Sequence, residues 1–147
     1  ECAESCLRKQ GSLAVYDSAG KETERCLACS TVCECCVQVC PNRANIAIDM
    51  GEGRMQQILH VDRMCNECGN CTVFCPYDSS PYKEKFTLFS TEKEFDESGN
   101  KGFFVLGGGK IKLRLNGVST VHLGANEIDP EIERLVSTVI WDYSYLL

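Results

Sequence analysis

Four cysteines lie close together in the segment CNECGNCTVFCP, residues 65–76, and a proline follows the last of them. Cys65, Cys68, Cys71, Cys75 and Pro76 form the pattern Cys-x2-Cys-x2-Cys-x3-Cys-Pro. Three thiols in one tight loop make the backbone wrap around whatever the sulfur atoms bind. The proline ends this loop, because it fixes its own φ and biases the preceding residue toward extended geometry. The spacing is typical of three thiolate ligands of a cubane [4Fe-4S] cluster, and the fourth ligand must come from elsewhere.

A less regular copy of this pattern comes first in the chain, in CSTVCECCVQVCP, residues 29–41. The residues that recur 35 positions later are Cys33, Cys36, Cys40 and Pro41. Such an internal repeat indicates two copies of one site. In the two-cluster bacterial pattern, the cysteine before proline ligates the cluster of the other copy. We therefore predict one cluster held by Cys40, Cys65, Cys68 and Cys71, with the two sites interleaved and close in space.

The start of the irregular copy leaves a choice of ligand. A perfect copy would have its first cysteine at the position of Ser30, and Cys29 lies one residue earlier. A loop longer by one residue can still close around a cluster. The predicted ligands of the second cluster are Cys29, Cys33, Cys36 and Cys75. Cys26 is the alternative to Cys29 if the loop is larger, whereas Cys35 is expected to point the other way from its neighbour in the chain.

Other roles for the thiols are weaker hypotheses. The chain has 12 cysteines in 147 residues, far more than an ordinary soluble protein, so the thiols must be bonded to something. Structural zinc sites pair two Cys-x2-Cys knuckles across a longer spacer instead of placing three cysteines in one loop. A disulfide framework needs an oxidising compartment, and the repeated Cys-Pro pattern argues against it. Cys2 and Cys6 would share one face of a helix; we leave them unligated, and the alternative is that they contribute to another cluster in the parent protein.

Charge and hydropathy narrow the partners and the location. The net charge of -6 disfavours nucleic acid, because phosphate binding needs a basic surface, so the expected partner is a protein. The sequence contains neither an apolar run long enough for a membrane span nor a signal peptide at its start. We therefore predict a cytoplasmic location. The chain begins with Glu1, and we expect it to be a fragment of a longer polypeptide.

The distribution of cysteine predicts three parts. Residues 1–25 are polar and contain two cysteines, which suggests a linker or the end of a preceding domain. Residues 26–80 contain the other ten, and residues 81–147 contain none. The predicted fold class is α+β: a two-cluster bacterial ferredoxin-like domain in residues 26–80, followed in residues 81–147 by a small antiparallel β-sheet with a C-terminal amphipathic helix.

Local sequence patterns predict two hairpins and one helix. ANIAID and QQILHV flank the turn-forming MGEGR and predict an antiparallel hairpin. Asn116-Gly117 predicts a second hairpin in the tail. Asp129 as N-cap and Pro130 at the first position open a helix whose apolar stripe should cover the sheet. We expect Trp141 and the terminal YSYLL to pack in the core, and the alternative is that they cover a cluster or dock on a neighbouring domain.

The cysteine segments resemble the two-[4Fe-4S] ferredoxin domain of the dicluster family over residues 26–80. The wider phrase ERCLACSTVCECCVQVCPNRANIAI, with the cysteine-free tail, resembles the C-terminal region of bacterial "putative selenate reductase" subunits (YgfK-like). Those subunits are long iron-sulfur flavoproteins related to the glutamate synthase small subunit. The resemblance implies one electron-relay part of a multi-cofactor oxidoreductase, with a flavoprotein and a molybdenum hydroxylase as partners. FAD is then expected in the parent protein and not in this chain.

The predicted function is electron transfer by two [4Fe-4S] clusters, with no substrate site in this chain. The alternative is a structural or redox-sensing iron-sulfur docking module, and a zinc-binding interaction domain is a third hypothesis. The segment GGGK, residues 107–110, lies between two apparent strands and is expected to be a turn instead of a phosphate loop. His60 and His122 are isolated in the sequence, and neither has a metal-binding spacing.

Overall fold

The computed structural model describes residues 33–51, 56–123 and 128–147. The helices in these ranges are α1 Cys35–Gln38, α2 Asn70–Val73, α3 Pro81–Glu84, α4 Glu92–Glu97 and α5 Pro130–Asp142. The strands are β1 Asn45–Ile48, β2 Gln57–Val61, β3 Phe86–Phe89, β4 Gly102–Gly107, β5 Lys110–Leu115 and β6 Val118–Leu123. Short 3-10 helices cover Asp62–Met64 and Ser144–Leu146. Within these ranges no helix is long and apolar enough to cross a bilayer.

The six strands form one sheet in the order β1-β2-β3-β4-β5-β6. The pairs β1–β2, β4–β5 and β5–β6 are antiparallel, and the pairs β2–β3 and β3–β4 are parallel. The first predicted hairpin is confirmed, with Ile46 opposite Leu59. The second is also confirmed, because β5 and β6 are joined at Asn116 and Gly117, whose φ angles are 49° and 77°. Positive φ at both central residues is what a tight hairpin turn requires.

The predicted fold class is wrong. Instead of a two-cluster ferredoxin-like domain followed by a small antiparallel sheet, the described residues form one mixed sheet. β3 lies between β2 and β4 and is parallel to both, so it joins strands from the cysteine-rich half and from the tail. All four residues of β3 are buried. A strand covered on both faces has no polar and apolar alternation, which explains why FTLF gave no strand signal in the sequence.

The C-terminal helix covers the sheet as predicted. The carboxylate of Asp129 accepts a hydrogen bond from the backbone N–H of Glu131 at 2.9 Å, and Pro130 occupies the first turn. The buried side chains of α5 join the main core cluster together with apolar residues of the sheet, and they are Leu135, Val136 and Val139. The predicted core role of Trp141 is wrong, since its side chain is 81% exposed, whereas Leu146 of YSYLL is buried. Trp141 lies on α5 but outside its stripe of buried residues.

One buried arginine fixes α4 against the sheet. Arg114 of β5 donates through Nη2 to the carbonyl oxygen of Phe95 at 2.7 Å and through Nη1 to that of Ser98. Its guanidinium also lies 4.2 Å from the centre of the Phe95 ring. At the other end of α4, Thr91 and Glu94 form a capping box. Backbone groups at both ends of this short helix therefore have side-chain hydrogen-bond partners. These contacts hold the carboxylates of α4 in place beside the cysteine-rich half.

A close backbone contact between β3 and β4 generates the first prediction. Gly102 is opposite Thr87, and a Cβ at this position would collide with the Thr87 carbonyl group. Because both atoms belong to paired strands, neither can move without disturbing the sheet. We expect Gly102→Ala to lower the free energy of unfolding by about 1–3 kcal/mol, measured by chemical denaturation. Gly99→Ala is the matched control, since nothing lies within 4 Å of a Cβ at Gly99. Equal stability of the two variants would contradict this assignment.

Candidate metal centre

The sequence repeat of 35 residues has a counterpart in the backbone. Helix α1 begins at Cys35 and helix α2 begins at Asn70, and each is four residues long. The second residue of each is a buried cysteine, Cys36 in α1 and Cys71 in α2. These two cysteines belong to one small apolar cluster with Ile58 of β2. The two copies are therefore packed against each other beneath the sheet edge.

Each copy ends in the same turn. The backbone N–H of Arg43 donates to the carbonyl of Cys40, and that of Asp78 donates to the carbonyl of Cys75, both at 3.3 Å. Proline follows the cysteine in both turns, at the position that prefers its fixed φ. Arg43 and Asp78 then have left-handed backbones, with φ of 56° and 52°. The Cys-Pro pattern thus reverses the chain after each thiol loop.

Four of the predicted ligands lie around one small cavity. The thiols that line it are Cys40, Cys65, Cys68 and Cys71. Cys40 comes from the turn after α1, while Cys65 follows the 3-10 helix that comes directly after β2. The other two come from the loop and first turn of α2, where Gly69 adopts the left-handed region with φ of 79°. The structure therefore brings together one thiol of the first copy and three of the second.

Backbone groups point at two of these sulfur atoms. The N–H of Ala44 donates to Cys40 Sγ at 3.2 Å, and the N–H of Glu67 donates to Cys65 Sγ at 3.3 Å. Burial raises the pKa of Cys65, the Glu67 N–H opposes this, and the charges of Cys71 and Cys40 raise the pKa further. Neighbouring thiolates repel one another, and a bound cation reverses that effect. The donor set therefore fits a cationic iron-sulfur core.

The predicted ligands of the second cluster are only partly within the described residues. Cys33, Cys36 and Cys75 are described, whereas Cys29 and its alternative Cys26 lie outside the described ranges, as do Cys2 and Cys6. Cys35 Sγ donates a hydrogen bond to the carbonyl oxygen of Phe74 at 3.1 Å. Burial raises the pKa of Cys35, and the charge of Cys75 raises it further. The end of the second copy thus lies beside the helix of the first.

Two buried polar side chains at this site were not found from the sequence. Asn45 of β1 and His60 of β2 are opposite each other in the hairpin, and both line the thiol cavity. His60 Nδ1 and Asn45 Oδ1 are 2.9 Å apart, and Asn45 Nδ2 donates to the carbonyl oxygen of Cys36 at 3.1 Å. No sequence motif includes His60, so only the pairing of β1 with β2 could have indicated its contact with Asn45.

An acidic cleft adjoins the thiol cavity. Its carboxylates come from the segment after β2 and from α4, and they are Asp62, Glu67, Glu94 and Glu97, with Lys83 as the lysine on its rim. Burial raises the pKa of Asp62, and the charges of Glu94 and Glu67 raise it further. Cys65, His60 and Tyr82 border both the cleft and the thiol cavity. Negative charge is therefore concentrated next to the candidate centre.

No group of three or more His, Cys, Asp or Glu side chains in the described ranges is arranged to hold a single metal ion. The thiols surround a common space instead of one point. An iron-sulfur cubane has an iron atom in front of each thiolate, so its ligands stand farther apart than those of a lone ion. The ligand assignments for both clusters remain predictions.

The described residues thus form a cysteine-rich module in which one mixed sheet carries two repeated thiol loops. The chain is similar to a protein named "Putative oxidoreductase YgfK" from Escherichia coli strain K12, with 44% identity over 136 residues. A protein of the same name from Escherichia coli O157:H7 shows the same identity. The matched region is 86% of this chain but 13% of each relative, so the chain spans only a small part of their length. These matches support a relation to YgfK-like oxidoreductases.

Comparison with family models gives no match, and no solved structure matches the chain. The relation to the two-cluster ferredoxin domain therefore has no support from these comparisons.

The burial of His60 generates a prediction on pH. Burial lowers its pKa from 6.5 to about 4, so the folded chain takes up this proton at lower pH than the unfolded chain. Between these values the unfolded state binds more protons, and folding stability falls as pH decreases. We expect His60 to reduce the free energy of unfolding by about 2 kcal/mol between about pH 7.5 and about pH 5.

Anaerobic chemical denaturation at the two pH values measures this loss. His60→Phe keeps an aromatic ring but has no titrating group, so its stability should fall less over the same range. An identical fall in the wild type and in the variant would show that His60 does not keep its depressed pKa.

Proposed function

We propose that this chain is an electron-transfer module of an oxidoreductase and that it holds two [4Fe-4S] clusters. The observation that carries the proposal is that four thiols from both sequence repeats line one cavity. The spacing of the second copy is typical of cubane ligation. The similarity to proteins named as oxidoreductases is consistent with a redox role.

The first proposed cluster would be held by Cys40, Cys65, Cys68 and Cys71. When bound, a [4Fe-4S] cluster accepts and donates single electrons. The chain contributes the backbone N–H groups of Ala44 and Glu67, whose hydrogen bonds to sulfur favour the thiolate form. Hydrogen bonds to sulfur, net charge and solvent exposure together set the reduction potential of such a centre. Buried Cys71 and exposed Cys68 give the cavity a protected side and an accessible side.

The second proposed cluster would be held by Cys29, Cys33, Cys36 and Cys75. Its support is the shared backbone geometry of the two copies, including the identical turns after Cys40 and Cys75. Cys35 is proposed to stay unligated, because its thiol already donates to the Phe74 carbonyl group. A metal ligand must be a thiolate and has no proton to donate.

The partners follow from the resemblance of the cysteine segments to the selenate reductase type of subunit and are part of the proposal. We propose that the module passes electrons between a flavoprotein part and a molybdenum hydroxylase of a larger cytoplasmic complex. The flavin would lie in the rest of the parent protein, and selenate reduction would be an activity of the whole assembly. The chain itself would supply no substrate site.

Metal content is the first test of the proposed function. We expect the anaerobically purified chain to contain about eight irons and about eight acid-labile sulfides per chain, because each cubane has four of each. The protein should be brown and should bleach reversibly on reduction. A content of about four irons would overturn the two-cluster proposal, and zinc in place of iron would overturn the electron-transfer function.

Pairs of substitutions test the interleaving of the sites. If Cys40 and Cys65 serve the same cluster, the double variant Cys40→Ala/Cys65→Ala should lose no more iron than either single variant and should keep about four irons. Cys65→Ala/Cys75→Ala should lose both clusters, since under the crossed assignment each residue serves a different one. Cys35→Ala is the control and should retain about eight irons. If Cys40→Ala/Cys65→Ala loses both clusters while Cys65→Ala/Cys75→Ala keeps one, Cys40 serves its own copy and the crossed assignment is wrong.

A further inference from the structure

Asn45 and His60 are a buried polar pair at the junction between the sheet and the two thiol loops. Their exposed fractions are 2% and 1%, and they are directly opposite in the antiparallel pair β1–β2. Side chains of directly opposed residues share one face of the sheet. Here that face is the one that borders the thiol cavity. An apolar pair would satisfy strand pairing at this position equally well, so the polar pair needs a separate reason.

The hydrogen bonds assign a direction to the pair. The Cys36 carbonyl oxygen only accepts, so the Asn45 atom facing it at 3.1 Å must be the amide nitrogen. Asn45 Oδ1 then faces His60 Nδ1 at 2.9 Å and accepts its hydrogen. Two consecutive hydrogen bonds therefore connect the His60 ring to the backbone of the first thiol loop. The ring is held in one orientation by a residue that is itself held by Cys36.

The His60 ring also stands between two spaces of different character. On one side is the cavity of the four thiols, and on the other is the cleft lined by Asp62, Glu67, Glu94 and Glu97. The ring therefore forms part of the boundary between the two spaces, together with Cys65, Glu67 and Tyr82, which also line both. Solvent exposure and local charge are among the terms that set the potential of an iron-sulfur centre. A side chain at this boundary controls the first of these terms, the solvent exposure of the centre.

We propose that Asn45 and His60 are positioning residues that narrow the opening between the thiol cavity and the acidic cleft and thereby tune the reduction potential of the cluster held by Cys40, Cys65, Cys68 and Cys71. This inference rests on the proposed function. His60 supplies the barrier, and Asn45 ties the barrier to the loop of the other cluster. Without the His60 ring, water reaches the centre from the cleft as well as from the side where Cys68 is exposed. Water stabilises the reduced form, which carries more negative charge, so the potential of this cluster rises.

The test is a redox titration of both clusters, monitored by electron paramagnetic resonance, in the wild type and in His60→Ala. The two signals are assigned with Cys40→Ala and Cys75→Ala, each of which should remove one cluster. We expect His60→Ala to keep its iron and to favour reduction of the Cys65 cluster by about tenfold, equivalent to about 59 mV for one electron. The other cluster should change less. His60→Gln refills part of the space and retains a donor, so it should return the potential toward that of the wild type.

Two further variants make this test decisive. Asn45→Ala leaves the ring in the chain but removes its tie to Cys36, so the Cys65 cluster should shift in the same direction by a smaller amount. This variant decides the question if His60→Ala does not fold. His122→Ala, on β6, is the control and should leave both potentials unchanged. Intact clusters with wild-type potentials in His60→Ala, or in Asn45→Ala if only that variant folds, would overturn the inference. A wild-type chain without iron would instead overturn the proposed function.

Discussion

The parallel pairing of β2 with β3 is the constraint on which the candidate centre depends. Parallel neighbours cannot be joined by a tight turn, so the chain must cross from the end of one strand to the start of the next. Residues 62–85 make this crossing, and they contain all four cysteines of the regular copy. Both ends of the second thiol loop are therefore anchored in the sheet. The first loop enters β1 directly after the turn at Cys40.

The sequence was informative where a signal is local. The repeat, both hairpins and the C-terminal helix could be predicted, because each depends on spacing or periodicity over a few residues. The fold class could not, because it depends on β3, whose four buried residues have no alternation, and on a parallel pairing that no local pattern specifies. The same limit applies to His60, whose partner Asn45 is 15 positions away and becomes its neighbour only through strand register.

The candidate site concentrates negative charge in a chain that is already acidic. Burial and the charges of Cys71 and Cys40 raise the pKa of Cys65, and burial and the charges of Glu94 and Glu67 raise the pKa of Asp62. Such an arrangement costs free energy unless a cation is present or the groups take up protons. An iron-sulfur core supplies the cation for the thiols but not for the carboxylates. The cleft therefore keeps its negative field, which opposes the addition of an electron to a neighbouring cluster.

The two copies share ligand spacing and turn geometry but occupy unequal places in the fold. The acidic cleft lies beside the thiols of the crossover loop, and the Asn45 bond reaches the backbone of the other loop through Cys36. Net charge, solvent exposure and hydrogen bonds to sulfur set the potential of each proposed cluster, and these differ between the two environments. Two clusters of the same type in identical surroundings would have equal reduction potentials, and an electron would favour neither of them. Unequal surroundings would give the exchange a direction, so under the proposed function the asymmetry of the sheet, and not the repeat itself, would determine which cluster receives the electron.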